Sequence, residues 1–114
     1  METKRLAGLE PASVFGYFEE ICSIPHGSRN TKQISDYLVN FAKTHELRYI
    51  QDDADNVIIF GDATPGYEDH PAIILQGHMD MVCEKDADCT IDMATEGLDV
   101  THDGNMVFAS PQSH

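Results

Sequence analysis

Residues 77–82 read Gly-His-Met-Asp-Met-Val, an imidazole and a carboxylate one residue apart at the end of the apolar run "PAIILQ". If the backbone stays extended through Met79, the two-residue period of a strand sends His78 and Asp80 to the same side. A carboxylate placed there takes a hydrogen bond from one imidazole nitrogen and leaves the other for a metal ion. That arrangement fixes the tautomer and makes the ligand more basic. The same pair is also what a loop histidine satisfied by a neighbouring aspartate looks like. Spacing alone favours the plainer reading, because one histidine supplies one of the three or four ligands that zinc requires.

The other histidines do not add to a metal site by spacing. His26 and His70 fall in polar stretches, His45 at the end of a helical pattern, His102 beside a turn and His114 at the last position. There is no HExxH, clustered Cys/His pair, glycine-rich phosphate loop or nucleophile elbow. Cys22, Cys83 and Cys89 are odd in number and lack CxxC spacing, which fits reduced thiols in a cytoplasm better than a disulfide framework. Cys83 and Cys89 read as buried or idle thiols before they read as metal ligands.

The 114 residues make about one domain, and a hydrophobic fraction of 41% suits a globular core. Seven Lys and Arg against twenty Asp and Glu leave a formal charge of −13. No basic stripe offsets it, which argues against nucleic acid as a partner. The opening "METKRLAGLEPAS" has no apolar stretch behind its two basic residues, so it does not read as a secretory signal. No apolar run approaches the length needed to span a bilayer, so no membrane partner is expected. The expectation is a soluble, acidic, cytoplasmic protein.

The elements that must position the histidine follow from period and punctuation. Pro11 suits the first turn of a helix whose apolar face is Val14, Phe18, Ile21 and Cys22 and which stops before Pro25. "PHGSRNT" reads as a polar loop. Asn30 or Thr31 can cap a second helix carrying Ile34, Tyr37, Leu38, Phe41 and Ala42 on one face and ending near His45. "LRYIQ" and "NVIIF" flank "DDAD" as strand, turn and strand. "GDATPGYEDHP" reads as an exposed loop, and "AIILQ" as a strand covered on both faces in a mixed or parallel sheet. "MVCEKDADCTIDMATEG" has no sustained period and reads as a long loop. "LDVTHDGNMVFA" reads as a hairpin turning at Asp103-Gly104. Helices packed on a mixed sheet make an α/β fold, and in such folds ligands gather at the carboxyl ends of strands, where His78 stands.

From about Val14 to Ala109 the sequence resembles the N-terminal part of the aminoacyl-histidine dipeptidases. These are also called Xaa-His dipeptidases or bacterial carnosinases, within the zinc metallopeptidase group that includes aminoacylases and tripeptidases. The resemblance rests on "VFGYFEEICSIPHGSRNTKQISDYLVNFAK", "DNVII", "AIILQGHMDMVCEK" and "DGNMVFA". It implies an incomplete zinc-peptidase-like catalytic domain over residues 1–109, with 110–114 as a divergent tail. It further implies that His78 is a ligand of one zinc in a two-metal site, that Asp80 is the catalytic-site carboxylate orienting it, and that the intact enzyme is a homodimer acting on dipeptides.

The family continues beyond "DGNMVFA" into a stretch that carries the metal-bridging aspartate, and this sequence reads "SPQSH" there instead. The glutamate pair, the later acidic ligand, the distant histidine ligand and the lid domain have no counterpart in these residues. The resemblance therefore implies a segment that is inactive by itself and binds zinc weakly or not at all. Two alternatives stay open at this level. One is a non-catalytic acidic α/β module that pairs through a sheet edge. The other is a segment of a related tripeptidase or aminoacylase.

Overall fold

The computed structural model describes residues 6–85, 87 and 89–109. In chain order its elements are α1 (Ala12–Cys22), α2 (Lys32–Thr44), β1 (Arg48–Gln51), β2 (Val57–Phe60), β3 (Val100–His102) and β4 (Val107–Ala109). The described residues make a small α/β fold of two helices and two antiparallel hairpins. It divides into two compact units: one holds Ser35–Met79, the other the chain on either side of it.

In the first unit α1 starts after Pro11, which sits in the extended N-cap position (φ −72°, ψ 131°) rather than in the first turn. The helix ends at Ser23, whose amide donates to Glu19 O at 3.1 Å and whose hydroxyl donates to Glu20 O at 2.6 Å. The face expected to be buried is shifted. Val14 and Phe18 are 58% and 44% exposed, whereas Phe15 and the buried Cys22, two turns apart, pack with Leu6, Leu9, Leu98, Val100 and Val107. The cause lies outside the helix. The amide of Leu6 donates to Glu19 Oε1 at 2.9 Å, which turns the 15/19/22 side towards the segment that supplies apolar cover. Burial, and secondarily the Glu19 charge, push the Cys22 thiol up from its ordinary value, so it is an apolar core residue.

The hairpin β3–β4 completes this unit, in the register Val100↔Ala109, Thr101↔Phe108 and His102↔Val107. Its turn forms where Asp103-Gly104 predicts it. Asp103 Oδ1 accepts the amides of Asn105 and Met106, both at 2.9 Å, and Gly104 takes φ 98°.

In the second unit α2 buries Ser35, Val39 and Ala42, with Tyr37, Leu38 and Phe41 half-buried. The helix stops in a left-handed cap: Glu46 at φ 57°, its amide on Lys43 O at 3.1 Å, and Leu47 N on Ala42 O at 2.8 Å. These are the paired bonds of a Schellman motif. His45 stays at the helix end as expected, with Nδ1 donating to Phe41 O at 2.9 Å and its ring 4.1 Å from that of Phe41.

The strands β1 and β2 pair Arg48↔Phe60, Tyr49↔Ile59, Ile50↔Ile58 and Gln51↔Val57. A polar seam binds them to the helix. Gln51 Nε2 donates to Ser35 Oγ at 2.8 Å and to Asp36 Oδ1 at 3.1 Å, while the buried Ser35 hydroxyl donates to Asp55 O at 2.8 Å. The turn is built on Asp52, which accepts Ala54 N and Asn56 N at Oδ1 and the Asn56 side-chain amide at Oδ2, each at 2.9 Å. Hydrogen bonds from Asn56, side chain first and then backbone, with Ala54 adding to them, hold the Asp52 carboxyl below the usual carboxylate range.

The largest departure from expectation is the run "AIILQ". It is not a strand and is not covered: Ile73, Ile74 and Leu75 are 86%, 88% and 94% exposed. A strand buried on both faces needs ladder partners along its edges and cover above and below. The described residues supply neither, so the sheets present are two antiparallel pairs instead of one mixed sheet. The long loop expected over 81–97 contains no helix or strand among its described residues, apart from an isolated bridge at Met81.

Two stability measurements check these local accounts. Glu46→Gly removes a Cβ from a left-handed position and is expected to stabilise the chain by about 1 kcal/mol, read as a higher urea midpoint. The Asp52 contribution is present above its unfolded pKa and lost as pH falls through its lower folded pKa. Asp52→Ala is therefore expected to lower stability at pH 7 and to flatten the decline below about pH 4, where the carboxylate reference value lies.

Candidate functional site

The loop after α1 pairs with the stretch that begins at Asp80 in the same unit. That loop cannot continue the helix through Pro25, and its free backbone groups are satisfied from far along the chain. Leu98 N donates to Cys22 O at 2.7 Å, Met81 N to His26 O at 3.0 Å and Ser28 N to Met81 O at 3.1 Å. The last two make a parallel bridge between Gly27 and Met81. The Asn30 side-chain amide donates to Ala94 O at 3.0 Å, so Asn30 ties down the long loop and is not a simple helix cap. Two glycines make these approaches possible. A Cβ on Gly97 would land on the carbonyl group of Ser23, and one on Gly27 would land on Cys83 Sγ.

Asp80 opens the second stretch of the unit that contains this loop and is half-buried. Its Oδ2 accepts a hydrogen bond from Ser28 Oγ at 2.7 Å, across 52 positions of sequence. Ser28 is the residue that sequence reasoning missed. It stood inside the quoted "PHGSRNT" stretch, and no local signal ties a loop serine to an aspartate so distant. Ser28 also lines a cleft of about 400 Å³ whose other walls include Asn30, Cys83, Lys85 and Asp92. Lys85 Nζ donates to Ile91 O at 2.6 Å there.

His78 is exposed and is the last residue but one of the other unit, following the exposed run 71–77 rather than ending a strand. The remaining histidines have separate local roles. His26 Nδ1 donates to Ile24 O at 2.6 Å, the His70 ring lies 4.9 Å from Tyr67, and His102 Nδ1 accepts the Gly104 amide at 3.1 Å. His114 lies outside the described residues. Cys83 is exposed and Cys89 half-buried, both as free thiols. Among the described residues no group of three or more His, Cys, Asp or Glu is placed to hold a metal ion. The donors among the described residues do not by themselves fit a resident zinc.

The geometry sets the loop after α1 against Asp80 and Met81, with His78 two residues before Asp80 in sequence. No protein-family model matches the chain. The cytosol non-specific dipeptidase of Escherichia coli (strain K12) is 35% identical over 104 residues, which are 91% of this chain and 21% of that protein. The crystal structure of aminoacylhistidine dipeptidase from Vibrio alginolyticus matches with a TM-score of 0.86 and 34% identity, over 92% of this chain and 21% of that one. The chain is homologous to a stretch of each of these two dipeptidases, and it spans about a fifth of their length.

Among the described residues no helix is long and apolar enough to cross a membrane. One prediction tests the clamp. Gly97→Ala forces the 97–98 backbone off Ser23 and is expected to cost about 1–3 kcal/mol, measured as a lower urea midpoint with loss of amide-exchange protection at Leu98. An unchanged midpoint would contradict the close approach.

Proposed function

We propose that the chain is the N-terminal segment of a zinc-dependent dipeptidase of the Xaa-His type. The observation that carries this reading is the match of nine-tenths of the chain, in sequence and in fold, to two dipeptidases. In the intact enzyme His78 is a ligand of one of two zinc ions, and Asp80 is the carboxylate that orients it. Bound zinc supplies a water of lowered pKa and a polarised scissile carbonyl. The substrate is an unhindered dipeptide, with β-alanyl-histidine as the type. The two relatives carry different substrate names, so the preference for a C-terminal histidine is the finest part of this reading. The intact enzyme is a cytoplasmic homodimer.

The segment alone is inactive on this reading, since a lone histidine with a carboxylate beside it cannot hold even one zinc tightly. The exposed run at Ile73, Ile74 and Leu75 favours a second reading, in which a non-catalytic module pairs with another chain by strand addition. The two separate on mixing. The dipeptidase segment gains order and zinc-dependent peptidase activity with the remainder of such an enzyme, whereas the module is a folded, metal-free monomer by itself.

The direct test is His78→Ala in the segment joined to the rest of a dipeptidase. Zinc-dependent hydrolysis of β-alanyl-histidine is expected to be abolished, and activity within a few-fold of the parent would sink the assignment.

A further inference from the structure

The hydroxyl of Ser28 is aimed at a carboxylate with which it shares no local sequence, and the backbone on both sides is locked to hold it there. Met81 N on His26 O and Ser28 N on Met81 O, at 3.0 and 3.1 Å, fix the loop in register with the residue that follows Asp80. Gly27 lies at the centre of the bridge, where Cys83 Sγ occupies the space a side chain would need. The Ser28 Oγ to Asp80 Oδ2 distance of 2.7 Å is that of a strong hydroxyl–carboxylate hydrogen bond. The χ2 torsion of a carboxylate lies in a broad two-fold well. A donor held on a locked loop narrows that well, because the 2.7 Å bond from Ser28 is made in only part of it.

We propose that Ser28 is a positioning residue: it sets the orientation of the Asp80 carboxylate, and through it the geometry of the reacting site. The first half stands on the geometry alone, and the second rests on the dipeptidase reading. Ser28 touches neither substrate nor metal in this account. It acts through Asp80, as the outer partners of metal-site carboxylates and histidines do, where removal of one typically costs 10–100-fold.

The test has two arms. In the 114-residue chain with ¹³C labelling, Ser28→Ala is expected to shift the Asp80 carboxyl carbon resonance while Met81 keeps its amide-exchange protection, and Ser28→Thr is expected to restore the parent signal. Ser28→Cys preserves size but is a weak donor, so it is expected to behave like Ser28→Ala even if the alanine chain folds poorly. An unmoved carboxyl signal in both, or loss of Met81 protection that threonine does not rescue, overturns the positioning role. In the segment joined to the remainder of a dipeptidase, Ser28→Ala is expected to lower kcat at least about tenfold with KM within about twofold, and Ser28→Thr to recover kcat. An unchanged kcat in an active parent overturns the link to the reaction. An inactive parent overturns the dipeptidase reading instead, and the carboxyl resonance then decides the role of Ser28.

Discussion

Met81 gives its amide to His26 and takes the amide of Ser28 on its own carbonyl. Backbone groups in a turn that ends a helix at a proline have no ladder of their own, and leaving them unpaired costs free energy. Two hydrogen bonds to a single distant residue satisfy them. In doing so they bring the loop after α1 beside Asp80, set Ser28 against its carboxylate and press Gly27 onto Cys83. The Leu98–Cys22 and Asn30–Ala94 bonds lie on either side of that bridge and fasten the long loop to the same strip of backbone. The neighbourhood of Asp80 is thus built from backbone pairing first and side chains second.

Both helices and both hairpins were legible because their signals are local. A 3.6-residue period, the "DDAD" turn and the Asp103-Gly104 turn each act over a few residues, and the structure places elements there. What failed was anything set by distant partners. The buried side of α1 is chosen by Leu6 and its bond to Glu19, which the helix's own pattern of Val14 and Phe18 does not contain. Ser35, buried and bridging Gln51 to Asp55, breaks the apolar pattern of α2 and was invisible for that reason. "AIILQ" has the composition of a central strand, but a central strand is defined by what lies on both sides of it, and composition does not provide neighbours.

The same division runs through the site. His78 and Asp80 stood out by residue type and spacing, and the zinc role came from resemblance rather than from those two residues. Ser28, which donates to Asp80, lies 52 positions away from it. A hydroxyl in a polar loop carries no sign of its partner until the chain is folded.

The exposed run has a consequence for how the polypeptide behaves in concentrated solution. Residues 72–75 form a short stretch of high strand propensity with no charge and no proline inside it, the kind that stacks with copies of itself. Pro71 stands immediately before it, with Glu68 and Asp69 just upstream and Asp80 and Glu84 downstream. Residues of these types act as gatekeepers against stacking, and a net charge of −13 adds long-range repulsion between chains. Colloidal behaviour is therefore governed by titration and ionic strength. Acid lowers the net charge and salt shortens the reach of the repulsion, so both push three bare aliphatic side chains towards self-association.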